Sequence, residues 1–104
     1  MKLLKDLLYK VRINRITGST HVAVGDITTD SRQVKKFSLF AAVRGTVNDG
    51  HKYITTVEEA GVVAIICEQL PEVTLDEITY VEVENSAEAI GIIASNYYDN
   101  PSER

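Results

Sequence analysis

Short runs of apolar residues, separated by polar turns, predict most of the secondary structure of this chain. Four of these runs are predicted strands, over residues 26–29, 38–43, 62–67 and 79–83. The second and third are almost continuously apolar, which is typical of strands covered on both faces of a sheet. A helix is predicted between them over residues 51–60, with Asp49 as its N-cap and Gly61 as its C′ residue. Strand, helix and strand then form a βαβ unit with a right-handed crossover.

Two more helices are predicted, one near each end of the chain. Residues 2–11 space their apolar side chains as an amphipathic helix does, at Leu3, Leu4, Leu7, Leu8 and Val11. Asn85 and Glu88 form a variant of the capping box before the final helix, and Asp99-Asn100-Pro101 ends it. The buried face of that final helix is predicted to comprise Ala87, Ile90, Ile93, Ala94 and Tyr97.

The remaining segment, residues 12–25, has a weaker pattern. It mixes glycines with short alternations such as His21-Val22-Ala23-Val24, which predicts irregular structure or an edge strand. The whole pattern predicts an α/β domain. Its sheet is expected to be open and mostly parallel or mixed, with about four to five short strands and helices packed on it.

The length and composition fit one domain of this kind. A chain of 104 residues can bury about two-thirds of its unfolded surface. The single cysteine, Cys67, closes an apolar run, which favours a buried reduced thiol over a nucleophile. The opening leucines alternate with lysines, unlike a signal peptide, and no apolar run reaches the roughly 18 residues that span a bilayer. We therefore expect a cytoplasmic chain without a membrane partner.

Charge is distributed unevenly along the chain. The formal net charge is −4, yet residues 32–52 contain a single acidic side chain, Asp49, beside five basic ones: Arg32, Lys35, Lys36, Arg44 and Lys52. A concentrated basic segment in an acidic protein favours an anionic ligand at one place, whereas a nucleic-acid-binding protein usually has a broad basic face. The pI near 5.1 argues against nucleic acid as a partner. Lys52 falls in the first turn of a predicted helix, where the helix dipole disfavours a cation. Either an anion lies nearby, or the lysine side chain extends into solvent.

Patterns for catalysis and for metal binding are absent from the sequence. His21 and His51 lie thirty residues apart, without cysteines or acidic residues at ligand spacing. Ser31 lacks the context of a nucleophilic serine, and none of the six glycines precedes a lysine, as a P-loop requires. We expect no catalysis by this chain alone, and neither a metal ion nor a cofactor bound to it.

Two polar loops follow neighbouring predicted strands and carry the candidate binding chemistry. The first is Thr29-Asp30-Ser31-Arg32 and the second covers residues 45–51. If the two strands are parallel neighbours, both loops emerge at the edge of the sheet where open α/β folds bind ligands. Asp30 and Ser31 suit a turn, because their side chains can bond to nearby backbone N–H groups. The second loop runs into a predicted helix, whose N-terminus favours an anion. The loops therefore predict a phosphate site.

Several of these segments together resemble one known family. Thr-Asp-Ser-Arg, Ser-Leu-Phe-Ala-Ala-Val-Arg-Gly and Asp-Gly-His-Lys-Tyr-Ile occur in this order at residues 29–32, 38–45 and 49–54. In their order and spacing they resemble the N-terminal domain of muramyl-peptide ligases. The resemblance covers nearly the whole chain and is densest over residues 28–66. Within the family it is strongest to the ligases that add the third residue to UDP-N-acetylmuramoyl-L-alanyl-D-glutamate.

The resemblance implies a role within a larger enzyme. In these ligases the N-terminal domain holds the UDP part of the substrate, a central domain carries the ATP P-loop, and a C-terminal domain receives the incoming amino acid. Residues 1–104 would then be a single UDP-sugar-binding domain of a three-domain ligase that forms an amide bond through an acyl phosphate. ATP and magnesium are implied for that enzyme. The implied partners of this chain are UDP-N-acetylmuramoyl-dipeptide and the remaining ligase domains.

Family contacts with UDP, carried over by position, are implied for residues of both loops: Thr29, Ser31, Thr46, Val47 and Asn48. Ser31 can donate its hydroxyl to a phosphate or ribose oxygen, and the second loop can offer backbone N–H groups. Arg32 and Asp49 are interpreted as structural, the first pairing locally and the second capping a helix. The chain departs from the family at Phe37, where a turn glycine is usual, and at Thr46 and Val47, which are often more polar.

Two alternatives to the third-residue ligase stay open at this point. The ligase that adds the terminal dipeptide has an N-terminal domain with similar Asp-Ser-Arg and Asp-Gly-His elements. A non-enzymatic interaction module is the other alternative, in which the basic segment of residues 32–52 contacts an acidic protein. The choice between diaminopimelate and lysine as the third residue also stays open.

Overall fold

The computed structural model describes residues 2–43 and 53–98. The elements in chain order are β1 (Lys2–Leu3), α1 (Leu4–Leu7), β2 (Ile13–Thr17), β3 (Ala23–Val24), β4 (Asp26–Thr28), a 3₁₀ turn (Ser31–Gln33), β5 (Ser38–Ala41), α2 (Ile54–Glu59), β6 (Ala64–Cys67), β7 (Thr79–Val83) and α3 (Ser86–Tyr98).

The main sheet has five strands in the order β2-β7-β6-β5-β4. From β4 to β7 each strand is parallel to its neighbour, whereas β2 pairs antiparallel with β7 at one edge. Phe40 of β5 lies opposite Ile65 of β6, which lies opposite Tyr80 of β7. β1 and β3 form a separate antiparallel pair. The prediction of an α/β fold with an open, mixed sheet and helices packed on it is confirmed.

Apolar side chains form one core on each face of the sheet. The first core includes Leu39 and Ile66 of the sheet, Leu4 and Leu7 of α1, and Ile93 of α3. The second core lies beneath α2 on the opposite face. All residues of β5 and of β6 are buried, which confirms that these strands are covered on both faces.

The strands predicted from apolar runs are all present. β7 has its predicted bounds, and β4, β5 and β6 lie within theirs. α2 begins at Ile54, later than predicted, and Tyr53 holds its N-cap position, where its side chain does not cap the helix. Gly61 has φ of 95°, the left-handed conformation expected of a C′ residue. Asp49, the predicted cap, lies outside the described residues.

The start of α3 is capped twice. The Asn85 side-chain oxygen accepts a hydrogen bond from the backbone N–H of Glu88 at 3.0 Å, which confirms the predicted cap. Glu68, which follows β6, supplies a second cap that the sequence did not predict. Its Oε2 accepts hydrogen bonds from the backbone N–H and the hydroxyl of Ser86, at 2.8 and 2.9 Å. A long-range contact therefore helps to fix where this helix begins.

The predicted buried face of α3 needs one correction. Ile93 is fully buried, and Ile90 and Tyr97 are partly buried against the same core, as predicted. Ala87 is exposed, so its placement on the buried face was wrong, and Ala89 is buried instead. Ala89 and Ile93 are one helical turn apart, which sets the side of the helix that faces the sheet. The predicted end of the helix lies outside the described residues.

The predicted N-terminal helix over residues 2–11 is much too long, although Leu4, Leu7 and Leu8 of its predicted apolar face are buried. Only α1 is helical, and the two residues before it form β1, in which Leu3 is 36% exposed. β1 pairs antiparallel with β3, with Lys2 opposite Val24 and Leu3 opposite Ala23, so tertiary pairing keeps these two residues extended. Lys10 has φ of 71°, which a right-handed helix does not permit.

Residues 12–25 contain two strands. An edge strand was one of the two alternatives predicted for this segment, and β2 is such a strand. β2 lies at the edge of the main sheet, with a register shift between Ile13 and Arg15. Gly18 follows β2 with φ of 109°, and a Cβ atom there would lie 3.0 Å from the Thr79 backbone. A glycine is therefore required where the chain leaves this edge.

Candidate functional site

The first candidate loop leaves the sheet where β4 ends. β4 and β5 are parallel neighbours, which confirms the condition on which the phosphate site was predicted. Their carboxyl ends therefore lie at the same edge of the sheet, and the chain leaves this edge after both strands. Thr29 is exposed and Ser31 is half-buried in the 3₁₀ turn that follows. No described residue makes a hydrogen bond with either hydroxyl.

Asp30 organises this loop. Its Oδ1 accepts a hydrogen bond from the backbone N–H of Arg32 at 2.9 Å and thereby caps the 3₁₀ turn. The same carboxylate binds the Arg32 side chain, with Nε to Oδ1 at 3.2 Å and Nη2 to Oδ2 at 3.1 Å. The backbone N–H of Asp30 donates to the Thr28 hydroxyl at 3.0 Å. The predicted turn at Asp30 and the predicted local pairing of Arg32 are both confirmed.

The electrostatics of the loop follow from this pair. Hydrogen bonds from the Arg32 side chain and backbone lower the pKa of Asp30. Asp30 in turn raises the pKa of Arg32, chiefly through the side-chain hydrogen bonds, and the Tyr53 phenol raises it further. Tyr53 precedes α2, directly after the second candidate loop. Among these causes, the contact between Arg32 and Asp30 has the largest effect on both pKa values.

Hydrogen bonds fix the end of the connection from β4 to β5, where the chain returns to the sheet. The Ser38 hydroxyl donates to Asp26 Oδ1 at 2.6 Å and accepts a hydrogen bond from the backbone N–H of Lys35 at 3.0 Å. The backbone N–H of Gly25 donates to the carbonyl oxygen of Phe37 at 2.8 Å. Phe37 has φ of 70°, which is the left-handed conformation that glycine adopts most easily. This agrees with the turn glycine that the resembling family usually has at this position.

The predicted contacts of the second loop fall outside the described part of the chain. Thr46, Val47 and Asn48 lie there, as do Arg44 and Lys52 of the basic segment. α2 has only six residues, so it is shorter than the helix on which the predicted anion-binding N-terminus depended. The described cations of the basic segment are Arg32, Lys35 and Lys36, and all three are exposed.

A shallow groove of about 350 Å³ borders the first loop. Its lining residues come from the end of β4 and from α3: Ile27, Thr28, Thr29, Ile90, Ala94 and Tyr98. The structure thus brings Thr29 beside the last turns of α3, whereas Ser31 does not line this groove. The contribution of α3 was not predicted, because no local pattern in the sequence indicates which strand end a distant helix approaches.

Groups for other chemistry are not assembled in the described part of the chain. Cys67 is fully buried, which confirms the predicted buried thiol, and burial followed by the nearby Glu82 raises the pKa of that thiol to about 12. Across residues 2–43 and 53–98, no three His, Cys, Asp or Glu side chains are placed to hold a metal ion. No helix within those residues is long and apolar enough to cross a membrane.

Comparison with known proteins gives the family. A sequence profile described as "Mur ligase family, catalytic domain" matches residues 24–98. The chain is 48% identical over 102 residues to the UDP-N-acetylmuramoyl-L-alanyl-D-glutamate–2,6-diaminopimelate ligase of Cytophaga hutchinsonii, and 40% identical over 101 residues to that of Bacteroides fragilis. Each alignment covers 97% of this chain and 21% of the relative. The chain therefore spans about a fifth of the length of these curated relatives.

Solved structures of Mur ligases have the same fold. A crystal structure of MurF from Acinetobacter baumannii matches with a TM-score of 0.74 at 20% identity, over 96% of this chain and 21% of that chain, and this likeness bears on the fold alone. The MurF ligase of Thermotoga maritima in complex with ADP matches with a TM-score of 0.61 at 29% identity, over 72% of this chain and 17% of that one. With a profile match across most of its length and this fold, the chain belongs to the Mur ligase family.

Proposed function

We propose that this chain binds the UDP part of UDP-N-acetylmuramoyl-L-alanyl-D-glutamate within a ligase of peptidoglycan precursor synthesis. The observation that carries the proposal is the 48% identity, over nearly the whole chain, to a ligase named for that substrate. The expected location of such a ligase is the cytoplasm. Diaminopimelate is the third residue that the named relatives add, so it is the first candidate for the amino acid joined by the parent enzyme.

The geometry of the first loop supports this role. Two hydroxyls without partners among the described residues, those of Thr29 and Ser31, stand at the carboxyl edge of a parallel sheet, where α/β proteins bind nucleotides. The fixed Arg32 and the exposed Lys35 supply positive charge beside them. Thr46, Val47 and Asn48 remain predicted contacts, and β5 leads the chain from the same edge toward them.

This chain is proposed to bind and orient substrate, without carrying out the ligation. Its described residues offer no metal-binding cluster, and its sequence lacks a P-loop, so ATP and magnesium do not fit here. Both are proposed for the remaining domains of the full-length protein, in the same chain. The solved MurF ligase of Thermotoga maritima is in complex with ADP, as the proposal of an adenine nucleotide for the parent enzyme requires.

Titration of the chain with UDP, followed by NMR shift perturbation, tests the proposal. Ser31→Ala is expected to weaken UDP binding by about 1–2 kcal/mol. A hydrogen bond to a charged group contributes about 1.5–3 kcal/mol, and water can replace part of it at this half-buried position. Thermal stability should change little, because the Ser31 hydroxyl has no hydrogen-bond partner among the described residues. Ser95→Ala, which removes an exposed hydroxyl from α3, is the matched control and should bind UDP as the wild type does.

One outcome would overturn the proposal, and another would remove Ser31 from the contacts. If the wild type shows no saturable shifts with UDP up to millimolar concentration, the chain does not hold the nucleotide. If Ser31→Ala and wild type bind UDP equally, Ser31 is not a contact. Binding of an acidic peptide in place of UDP would favour the interaction module. The dipeptide-adding ligase is the less favoured alternative, since the relatives with the higher identities all carry the third-residue name.

A further inference from the structure

Arg32 is an exposed side chain that is held in one orientation. Its Nε and Nη2 donate to the two carboxylate oxygens of Asp30, at 3.2 and 3.1 Å. Asp30 is itself fixed, because its Oδ1 also accepts the backbone N–H of Arg32, and its own N–H donates to the Thr28 hydroxyl. Thr28 is the last residue of β4. The guanidinium is therefore hydrogen-bonded to Asp30, and Asp30 is hydrogen-bonded to the last residue of β4.

Folding stability does not account for this arrangement. The Arg32 side chain is 87% exposed, and an exposed ion pair contributes little, because water screens the charges and ordering two side chains costs entropy. A guanidinium has five N–H donors, of which Asp30 uses two. The other three have no partner among the described residues. A fixed cation with unused, forked donors is suited to binding an oxyanion.

The position of Arg32 agrees with such a role. It directly follows Ser31 at the carboxyl edge of the parallel sheet, in the loop proposed to contact the nucleotide. Lys35 is exposed in the same segment and adds positive charge, but no described contact fixes its ammonium group.

We propose that Arg32 binds the diphosphate of the nucleotide and that Asp30 is the positioning residue that holds its guanidinium in place. This inference rests on the proposed function and adds a specific contact to it. The diphosphate receives hydrogen bonds from the free side of the guanidinium, while the opposite side stays bound to Asp30. The first loop then recognises the ligand in two ways: the hydroxyls of Thr29 and Ser31 bind its oxygens, and Arg32 binds its negative charge.

UDP and uridine, titrated separately into the chain and its variants, test this inference by NMR. Arg32→Lys keeps the charge but removes the fork, and the dissociation constant for UDP should rise about tenfold, with no change for uridine. Asp30→Asn keeps an oxygen that can cap the turn but removes the ion pair. It should raise the constant for UDP about threefold and leave uridine binding unchanged. The double variant should bind UDP as Arg32→Lys does, since Asp30 acts through Arg32.

Two further measurements separate a contact from a general charge effect. Lys35→Gln and Arg32→Gln each remove one positive charge from the same segment, so a general effect predicts equal losses of UDP affinity. We expect a clearly larger loss for Arg32→Gln. The side-chain Nε–H signal of Arg32 should also shift when UDP is added and stay unchanged with uridine.

The outcomes distinguish this inference from the proposed function. If the wild type binds UDP, but Arg32→Lys binds it equally well or loses UDP and uridine affinity in the same proportion, Arg32 does not contact the diphosphate and the proposed function stands. If the wild type does not bind UDP, both are overturned. Equal losses for Lys35→Gln and Arg32→Gln would also refute the specific contact.

Discussion

Tyr80→Phe removes one hydroxyl from the core beneath α2 and is expected to destabilise the domain substantially. The Tyr80 side chain has no exposed surface. Its hydroxyl donates to Glu58 Oε2 of α2 at 2.6 Å and accepts a hydrogen bond from the backbone N–H of Leu75 at 3.0 Å. One oxygen atom thus joins β7, α2 and the loop that precedes β7. Phenylalanine preserves the ring packing and removes both hydrogen bonds.

The expected loss follows from the partners of that hydroxyl. A hydrogen bond to a charged group contributes about 1.5–3 kcal/mol. Glu58 is half-buried and Leu75 is exposed at its side chain, so water can replace part of what is lost. We therefore expect the free energy of unfolding to fall by about 2 kcal/mol, which lowers Tm by roughly 8–16 °C in a domain of this size.

The pH dependence of stability provides a second readout. Burial, followed by the hydrogen bond to Glu58, raises the pKa of Tyr80 to about 12, above the ordinary value near 10. Folding therefore favours the neutral phenol. The resulting stabilisation is fully present below about pH 10 and is lost as the pH rises through 12. The stability difference between wild type and Tyr80→Phe should shrink over that interval.

Urea unfolding followed by circular dichroism, at about pH 7 and at steps from roughly pH 9 to 11.5, measures both effects. Glu58→Gln is the control: it keeps an acceptor for Tyr80 and should cost about 1 kcal/mol. When Tyr80→Phe is already present, Glu58→Gln should cost almost nothing further, because the pair no longer interacts. A loss below about 0.5 kcal/mol for Tyr80→Phe, the range of an ordinary surface substitution, would refute the reasoning, as would additive single losses.

Two further predictions concern the backbone and the thiol. Lys10→Gly should stabilise the domain by about 0.5–1 kcal/mol, because it relieves a left-handed residue. Lys35 is also exposed but has no positive φ, so Lys35→Gly should destabilise the domain by a similar amount. If chemical unfolding shows that both substitutions change the free energy of unfolding in the same direction, the argument is contradicted. Cys67 should resist a thiol reagent at about pH 8 until the protein unfolds, because it is fully buried with its pKa raised to about 12. Fast labelling of the native protein would contradict this.

The candidate site was predictable as far as local chemistry decides it. Asp30 and Ser31 predicted a turn, and the structure has one, capped by Asp30. The local pairing of Arg32 follows from its position two residues from a carboxylate. The resemblance, and not the pattern, singled out Thr29 and Ser31. The approach of α3 to Thr29 was not predictable, since it depends on how a helix more than fifty residues later packs on β4.

Composition and pattern alone determined the central elements. The apolar runs of β5 and β6 exclude solvent on both faces, so they specify buried parallel strands whatever the neighbours are. Gly61 ends α2 because a C′ residue needs a left-handed conformation, which glycine adopts without strain. Asn85 starts α3 because its side chain caps the backbone N–H of Glu88. Each of these features depends on residues that lie only a few positions apart in the sequence.

Tertiary structure decided the edges of the fold. The leucines near the N-terminus have helical spacing, but Lys2 and Leu3 pair with β3 and Lys10 has a left-handed conformation, so only Leu4–Leu7 are helical. β2 is a strand because β7 offers it an unpaired edge, and its own alternating residues are too weakly apolar to indicate this. The buried face of α3 is set by contact of Ala89 and Ile93 with the core. Where local preferences are weak, the hydrogen bonds and the apolar surface offered by distant segments determine the structure.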